Sequence, residues 1–306
     1  MRVFVTGASG FIGSHVTRAL INAGHDVLAL VTPSASLWRI NDVLHKLEIV
    51  RGMLQDLNAF KDQLLAWQPQ ACIHLAWYAE PGKYLNSNEN LVSLQGSLDL
   101  LQLLAKNGCK QFVGAGSCAE YEIKSDHLLV ETDRTKPETI YAASKLCFQM
   151  LGEKIAAQTG MLFSWGRIFY LYGKQEDKRR IIPSAIISIL NGENFSASPG
   201  GQIRDYLNVV DVADGFLTLL EKQAEGIYNI CSSETVSIRF ILELIGDLTR
   251  KPDLLIHGAL PYRNWEPMFI CGDNGKLSKL GWEPKISLET GLKELILCLQ
   301  NESINP

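Results

Sequence analysis

One stretch limits what this chain can fold into. Residues 2–30 read RVFVTGASGFIGSHVTRALINAGHDVLAL. Arg2–Thr6 is a short β-branched run and reads as a strand. Gly7, Gly10 and Gly13 follow at three-residue spacing. Phe11, Ile12, Val16, Ala19, Leu20 and Ala23 then recur at helical spacing, and Gly24 stands where a helix commonly stops. Val27–Val31 is a second apolar run. Strand, glycine turn, helix and strand in that order make a βαβ unit whose glycines occupy the first turn. Without a Cβ, the backbone can bend sharply there and approach a pyrophosphate, while the helix N-terminus offers unpaired N–H groups and partial positive charge. Gly7, Gly10, Phe11, Ile12 and Gly13 are therefore expected to hold a dinucleotide.

The alternation continues. Arg39–His45 reads as helical, Leu47–Val50 as a short strand and Leu57–Trp67 as a helix ending before Pro69. Ala71–Ala76 is of strand length, Asn90–Asn107 is a long amphipathic helix closed by Gly108, and Gln111–Ala115 is a strand. Ile140–Thr159 reads as a helix and Leu162–Phe169 as a strand. Such alternation implies an α/β fold with a Rossmann-type doubly wound parallel sheet. After Tyr170 the rhythm changes: Gly, Pro and charges are denser, and helices such as Ile181–Leu190 alternate with short extended pieces. A smaller C-terminal α/β substrate domain is expected there. The expected division is 1–169 for the NAD(P)-binding domain and 170–306 for the substrate-binding domain.

Composition excludes several classes. With 306 residues, 46% hydrophobic and 20% charged, the chain is ordinary for a globular protein of one large domain or two modest ones. A net charge of −4 provides no field that would attract nucleic acid, so an anionic substrate must be held by local arginines. The seven cysteines form no Cys-x-x-Cys pair and no Cys/His cluster at zinc spacing, so no metal is expected. Cys72 and Cys231 lie in apolar runs and read as packed thiols. No apolar stretch is long enough to span a bilayer, a strand from residue 2 leaves no signal peptide, and a reducing cytoplasm is expected.

Chemistry concentrates in YAASK. Tyr141 and Lys145 are four apart in an expected helix and so share one face. The ammonium can favour the phenolate and still reach a cofactor ribose. Bringing a tyrosine from pKa ~10 to neutrality needs roughly 3 units, about 4 kcal/mol. Such a group gives or takes a proton at a substrate oxygen. Tyr170 and Lys174 share the spacing, but YLYGK passes a strand end and a glycine, so no common face is assured. Ser117 follows the strand Gln111–Ala115, at the carboxyl end where open α/β sheets place ligands.

TGASGFIG closely resembles the signature of the extended short-chain dehydrogenase/reductase family, many of whose members are nucleotide-sugar epimerases, dehydratases or ketoreductases. Ser117 and Tyr121 match its Ser/Thr-x-x-x-Tyr pattern, IRDYLNVVDVADG its Arg-Asp-aromatic segment and LGWEPKISLETGL its C-terminal Gly-Trp-x-Pro segment. The resemblance thus covers nearly the whole chain. It implies Ser117, Tyr141 and Lys145 as the catalytic set, with Ser117 orienting the substrate oxygen. It implies Asp56-Leu57 at the adenine, although Asp56 is also a good N-cap for the next helix. Leu75, Ala76 and Trp77 should pass under the cofactor, and Ile168-Phe169 should lie near the nicotinamide amide. Arg204 matches the pyrophosphate ligand, and Arg263 is a second candidate. A segment near 205–220 is expected to return to the first domain. A homodimer through helices 90–107 and 140–159 is also implied.

Departures from the pattern are informative. The sugar 4,6-dehydratases carry acids where this chain has Cys118 and Ala119; Glu120, next to them, would point elsewhere. Elimination of water needs a general acid, so a dehydratase is not expected. The family's substrate-binding Asn is replaced by Tyr170, and its structural Asn on the preceding helix by Ser93. Binders of NAD place a carboxylate at the end of strand two. This chain has Thr32, with no carboxylate until Asp42, since Asp26 lies before the strand as a turn residue. Thr32, Ser34, Ser36 and Arg39 can instead surround the 2′-phosphate of NADP. An NADP-dependent reduction of a keto group at C4 of a nucleotide-linked deoxysugar is expected. The alternatives are an NAD-dependent 4-epimerase or a non-catalytic dinucleotide sensor.

Overall fold

The structure is a computed structural model and describes residues 1–123, 127–263 and 266–304. Its centre is a seven-stranded parallel sheet. In chain order the first six strands are β1 (Arg2–Thr6), β2 (Asp26–Val31), β3 (Glu48–Arg51), β4 (Ala71–His74), β5 (Gln111–Ser117) and β6 (Leu162–Ile168). The helices among them are α1 (Phe11–Asn22), α2 (Lys61–Trp67), α3 (Glu89–Lys106) and α4 (Ile140–Thr159). Strands alternate their side chains, so β1 sends Val3 and Val5 to one face and Phe4 to the other. The first face packs Val16 and Leu20 of α1; the second packs Leu100, Leu104 and Phe148 of α3 and α4. Burial on both faces explains why these strands read as nearly continuous apolar runs. Each such side chain contributes about 1.5–3 kcal/mol by leaving water.

The remaining elements are small: β7 (Tyr170–Tyr172), α5 (Ile181–Leu190), β8 (Phe195–Ala197), β9 (Ile203–Arg204), β10 (Tyr206–Asn208), α6 (Val209–Glu221) and β11 (Gly226–Ile230). Then come β12 (Val236–Ser237), α7 (Ile238–Thr249), β13 (Leu255–His257), β14 (Phe269–Ile270), α8 (Gly275–Ser278) and α9 (Leu288–Ile304). β11 joins the large sheet beside β6, giving the order β11-β6-β5-β4-β1-β2-β3. Phe216, Leu219 and Leu220 of α6 lie in one cluster with Val16 and Leu20 of α1. A separate core gathers Ile186 of α5, Ile241 and Ile245 of α7, and Leu292 and Leu295 of α9.

Residues 38–46 are helical as expected, in 3-10 geometry. Two elements differ from expectation. The expected helix 57–67 breaks at Phe60, whose ring is buried against Phe4 and pulls the backbone out of helical geometry; only α2 is regular. β4 stops at His74 because the next two N–H groups turn to a side chain: Leu75 and Ala76 donate to Thr6 Oγ1 at 3.2 and 3.1 Å.

That hydroxyl heads a buried chain across the sheet. Already accepting two N–H groups, Thr6 Oγ1 gives its own proton to His74 Nδ1 at 2.8 Å. His74 Nε2–H then donates to Ser97 Oγ at 2.9 Å, and Ser97 donates to the Ser93 carbonyl at 2.6 Å. Burial pushes His74 down to about 3, so the ring is neutral. The unfolded chain binds a proton at ordinary histidine pH and the folded chain does not. Stability from this site is complete above pH ~6.5 and is lost as pH falls from there toward about 3, by up to ~1.4 kcal/mol per unit. Urea unfolding between about pH 7 and 4 should show His74→Gln losing less stability per pH unit than the parent, by up to that slope.

Candidate active site

The glycine turn is built by contact. Gly7 has φ +70°, and a Cβ there would lie 2.8 Å from Ala76 N. A Cβ on Gly13 would lie 2.0 Å from the Gly7 carbonyl oxygen. Gly10 N–H donates to that same oxygen at 2.9 Å and begins α1 without a side-chain cap. The first-turn N–H groups of Phe11 and Ile12 thus face a bare backbone concavity, which fits the pyrophosphate of a dinucleotide. Ser14 Oγ, one turn on, lies 3.2 Å from Gln175 Oε1, joining α1 to the segment after β7.

At the far end of β2, Thr32 is exposed. Arg39 sends Nε to the Gln175 carbonyl at 3.0 Å, with its guanidinium 4.5 Å over the Trp38 ring. Arg51, not singled out in the sequence, donates to the Pro33 carbonyl at 3.0 Å and to that of Thr32 at 3.5 Å. Only the β2–β3 register, which pairs Val31 with Arg51, brings it there. Asp56 is exposed and makes no side-chain cap, so its expected N-cap bond is not formed; Leu57 beside it is half-buried. Leu75 and Ala76 follow β4 beside Gly7, and Trp77 is tied by Nε1 to Asn90 Oδ1 at 2.9 Å.

α4 begins on a Thr139 cap and carries Tyr141 and Lys145 one turn apart. Lys145 is 4% exposed; its Nζ donates to the Ala115 carbonyl at 2.7 Å and lies 4.0 Å over the Trp77 ring. Burial pushes this ammonium down to about 7, opposed by the Glu120 charge. The expected lowering of the Tyr141 phenol is not found in the protein alone. Burial pushes it up, while a hydrogen bond from the Ser117 side chain pulls it down. Lys145 Nζ, turned toward Ala115, is 6.0 Å from the Tyr141 ring centre. Tyr84, from the loop after β4, sets its ring edge-on to Tyr141 at 4.8 Å and 90°. No local spacing pointed to Tyr84. The structure thus brings Ser117, Tyr141 and Lys145 together, with Ile168 and Phe169 at the end of β6 beside them in the sheet.

The sequence profile of the NAD dependent epimerase/dehydratase family matches residues 3–231. The chain belongs to that family. It is an enzyme of the extended short-chain dehydrogenase/reductase type. It is 28% identical to GDP-6-deoxy-D-mannose reductase of Pseudomonas aeruginosa, over 96% of each chain. It is 27% identical to CDP-abequose synthase of Salmonella typhimurium, over 96% of this chain and 97% of that one. Among solved structures it superposes on UDP-glucose 4-epimerase of Thermotoga maritima with UDP-glucose at a TM-score of 0.90, with 25% identity over 99% of this chain and 100% of that one.

For a member of this family, the departures gather on one side of the site. Cys118 is buried, its thiol pushed up to about 12 by desolvation, and the acid of the turn, Glu120, is turned away onto Trp165 and Arg167. Tyr170, on β7, packs its ring tilted at 42° and 5.5 Å from Tyr206 and lies under the Arg204 guanidinium at 5.2 Å. Arg204 is 2% exposed and donates to the Ile203 and Pro267 carbonyls at 2.9 and 2.6 Å, with Glu266 3.6 Å away. Arg263 is exposed. Lys174 pairs with Glu294 of α9 at 3.0 Å, which leaves the Tyr170/Lys174 spacing without a shared site. Gly13→Ala should weaken dinucleotide binding more than about tenfold in calorimetric titration and destabilise the fold by about 1–3 kcal/mol in urea, since the added methyl must displace backbone.

Proposed function

We propose that the chain reduces a keto group, at C4, of a nucleotide-linked deoxysugar, with NADPH as reductant. The observation that carries this reading is the turn after Ser117: elimination needs an acid facing the sugar there, and the chain offers the buried Cys118 thiol, while Glu120 of the same turn is taken by Trp165 and Arg167. The names of the Pseudomonas and Salmonella relatives, a deoxysugar reductase and an abequose synthase, agree with it.

A bound nicotinamide supplies the hydride chemistry; everything else falls to the chain. The Gly7–Gly13 turn holds the pyrophosphate, with Leu75, Ala76 and Trp77 below the cofactor and Ile168 and Phe169 toward the nicotinamide. Asp56 and Leu57 take the adenine. Ser117 orients the keto oxygen. Tyr141, whose phenol burial keeps protonated, gives its proton to that oxygen. Lys145, near balance at neutral pH, stabilises the phenolate left behind. Arg204, with Arg263, faces the substrate pyrophosphate, and Tyr170 and Cys118 bound the sugar. The substrate then lies between a cofactor part, 1–169, and a smaller part, 170–306.

The purified protein should oxidise NADPH when given a nucleotide 4-keto-6-deoxysugar, and Tyr141→Phe should lower the rate about 10²–10⁴-fold. An unaltered rate in that variant refutes the mechanism. A tightly retained cofactor with turnover of a sugar nucleotide and no added NADPH would establish the 4-epimerase reading in its place.

Cofactor choice follows from the loop after β2. Thr32 carries no charge to repel a 2′-phosphate, and Arg39 and Arg51 flank the loop from two sides. A charge-assisted hydrogen bond is worth ~1.5–3 kcal/mol, roughly ten- to a hundred-fold in affinity. We expect higher kcat/KM with NADPH than with NADH, reversed by Thr32→Asp. Arg39→Ala or Arg51→Ala should weaken NADPH alone; equal loss of both cofactors contradicts this assignment.

Leu91 and Val92 on α3 and Met150 and Leu151 on α4 are exposed apolar residues on two long, mutually packed helices. We assign this face to a homodimer. Light scattering at micromolar concentration should give twice the chain mass, and Met150→Glu with Leu91→Glu should halve it. No helix among the described residues is long and apolar enough to cross a membrane. The unpaired state of all seven cysteines fits a reducing cytoplasm.

A further inference from the structure

Behind Ser117 lies a buried charge that the proposed reaction does not use. Glu120 is 0% exposed, and burial pushes its carboxyl up against the opposing pull of Arg167 and of the Ser117 and Trp165 donors. Its Oε1 accepts from the Ser117 backbone N–H at 2.8 Å, and both its oxygens lie 3.1 Å from Trp165 Nε1. Arg167 Nε donates to Oε2 at 2.8 Å. Ser117 Oγ in turn accepts from Ala119 N–H at 3.2 Å, so the turn is closed from both ends. Room for this arrangement is made by glycine. A Cβ on Gly114 or Gly116 would lie 2.5 or 2.3 Å from the Trp165 indole, and one on Gly116 would lie 2.8 Å from Glu120 Oε1. Arg167 is itself held, 4.4 Å over the Tyr121 ring and 3.4 Å from the Glu131 carbonyl. Strand β5 carries the Ala115 carbonyl that receives Lys145 Nζ and, two residues later, Ser117.

We propose that Glu120 is a positioning residue for the catalytic set: it fixes the Ser117 turn through the backbone N–H, and it sets a carboxylate against the Trp165 indole whose ring lies 5.8 Å from the buried Lys145 ammonium. The proposal rests on the assignment of Ser117, Tyr141 and Lys145 as the reacting groups. The surrounding elements fit it. Arg167 and Trp165 of β6 hydrogen-bond the carboxylate; Lys145 and Tyr141 of α4, and Cys118 and Tyr121 of the turn, feel its charge; and Glu131, from the segment after the turn, acts on Tyr121 with it. Neutral His74 of β4 is the other titratable neighbour of Lys145, and Tyr84 that of Tyr141. Glu120 acts electrostatically on both Lys145 and Tyr141, raising each.

The sign follows. Removing the negative charge lowers the pKa of Lys145 and of Tyr141 alike, so the alkaline limb of activity moves to lower pH whichever group governs it. Glu120→Gln should shift that limb down by about one unit, a roughly tenfold loss of kcat at alkaline pH against little loss near pH 6. Glu120→Gln/Arg167→Met leaves no unpaired buried charge and should fold and show the same shift. Glu120→Asp keeps the charge and should keep the limb in place. The second readout needs no substrate: NADPH affinity, followed by its fluorescence from about pH 6 to 9.5, should lose its alkaline arm earlier in both Gln variants. If no sugar nucleotide is turned over yet this arm shifts, the ketoreductase reading fails and the role of Glu120 stands. If either Gln variant folds and both its limbs stay where the parent has them, Glu120 only shapes the loop and the proposal is overturned.

Discussion

The backbone at the ends of β1 and β4 comes so close that side chains are excluded. Gly7 meets Ala76 on one side and Gly13 on the other, at separations that leave no space for a Cβ. Thr6 holds the two strand ends together from beneath, its hydroxyl taking the N–H groups of Leu75 and Ala76 and passing its proton to His74. The opening of the dinucleotide cradle is therefore set by the sheet, not by the loop alone. α1 starts where the turn leaves it, and its free first-turn N–H groups aim at the carboxyl edge of the sheet, where the strands also deliver Ser117 and Ile168.

The second constraint is desolvation. Burial pushes Lys145 down to about 7 and pushes Tyr141 up, so both groups sit closer to neutrality than in water. A neutral phenol is suited to giving a proton, and a lysine near balance can answer the charge that appears when it does. The low dielectric that produces these shifts also makes any nearby fixed charge count for more. Glu120, enclosed by Trp165, Arg167 and the Ser117 N–H, is such a charge.

The smaller C-terminal elements carry the residues assigned to the proposed substrate side. Tyr170 and Tyr206 come from the parallel pair β7–β10, and Arg204 from β9 within a three-stranded sheet. The segment after β7 reaches back to α1 through Gln175, which contacts Ser14 and Arg39 at once. The cofactor cradle and the substrate side are thus tied through the same few residues.

The chain's local pattern was enough to specify the βαβ start, the parallel sheet and helices α4 and α5, whose bounds agree with the spacing. Each rests on nearest-neighbour physics: glycines where no Cβ fits, apolar residues at helical or strand period, a capping Thr139 and a terminal Gly160. Tyr141 and Lys145 were legible because a helix of known register puts residues four apart on one face. What spacing could not supply was anything set by burial or by distant partners. The break at Phe60 follows from its ring packing on Phe4, and the shortened β4 from a hydroxyl some seventy positions earlier. Arg51 reaches the Thr32 loop only through strand register, and Tyr84 meets Tyr141 only when two loops converge. In GSCAEYE the spacing says only that Glu120 points elsewhere than its neighbours Cys118 and Ala119. Only the packed sheet, with Arg167 and Trp165 of β6 beneath the loop, turns it inward, because a buried carboxylate is tolerated where three donors surround it.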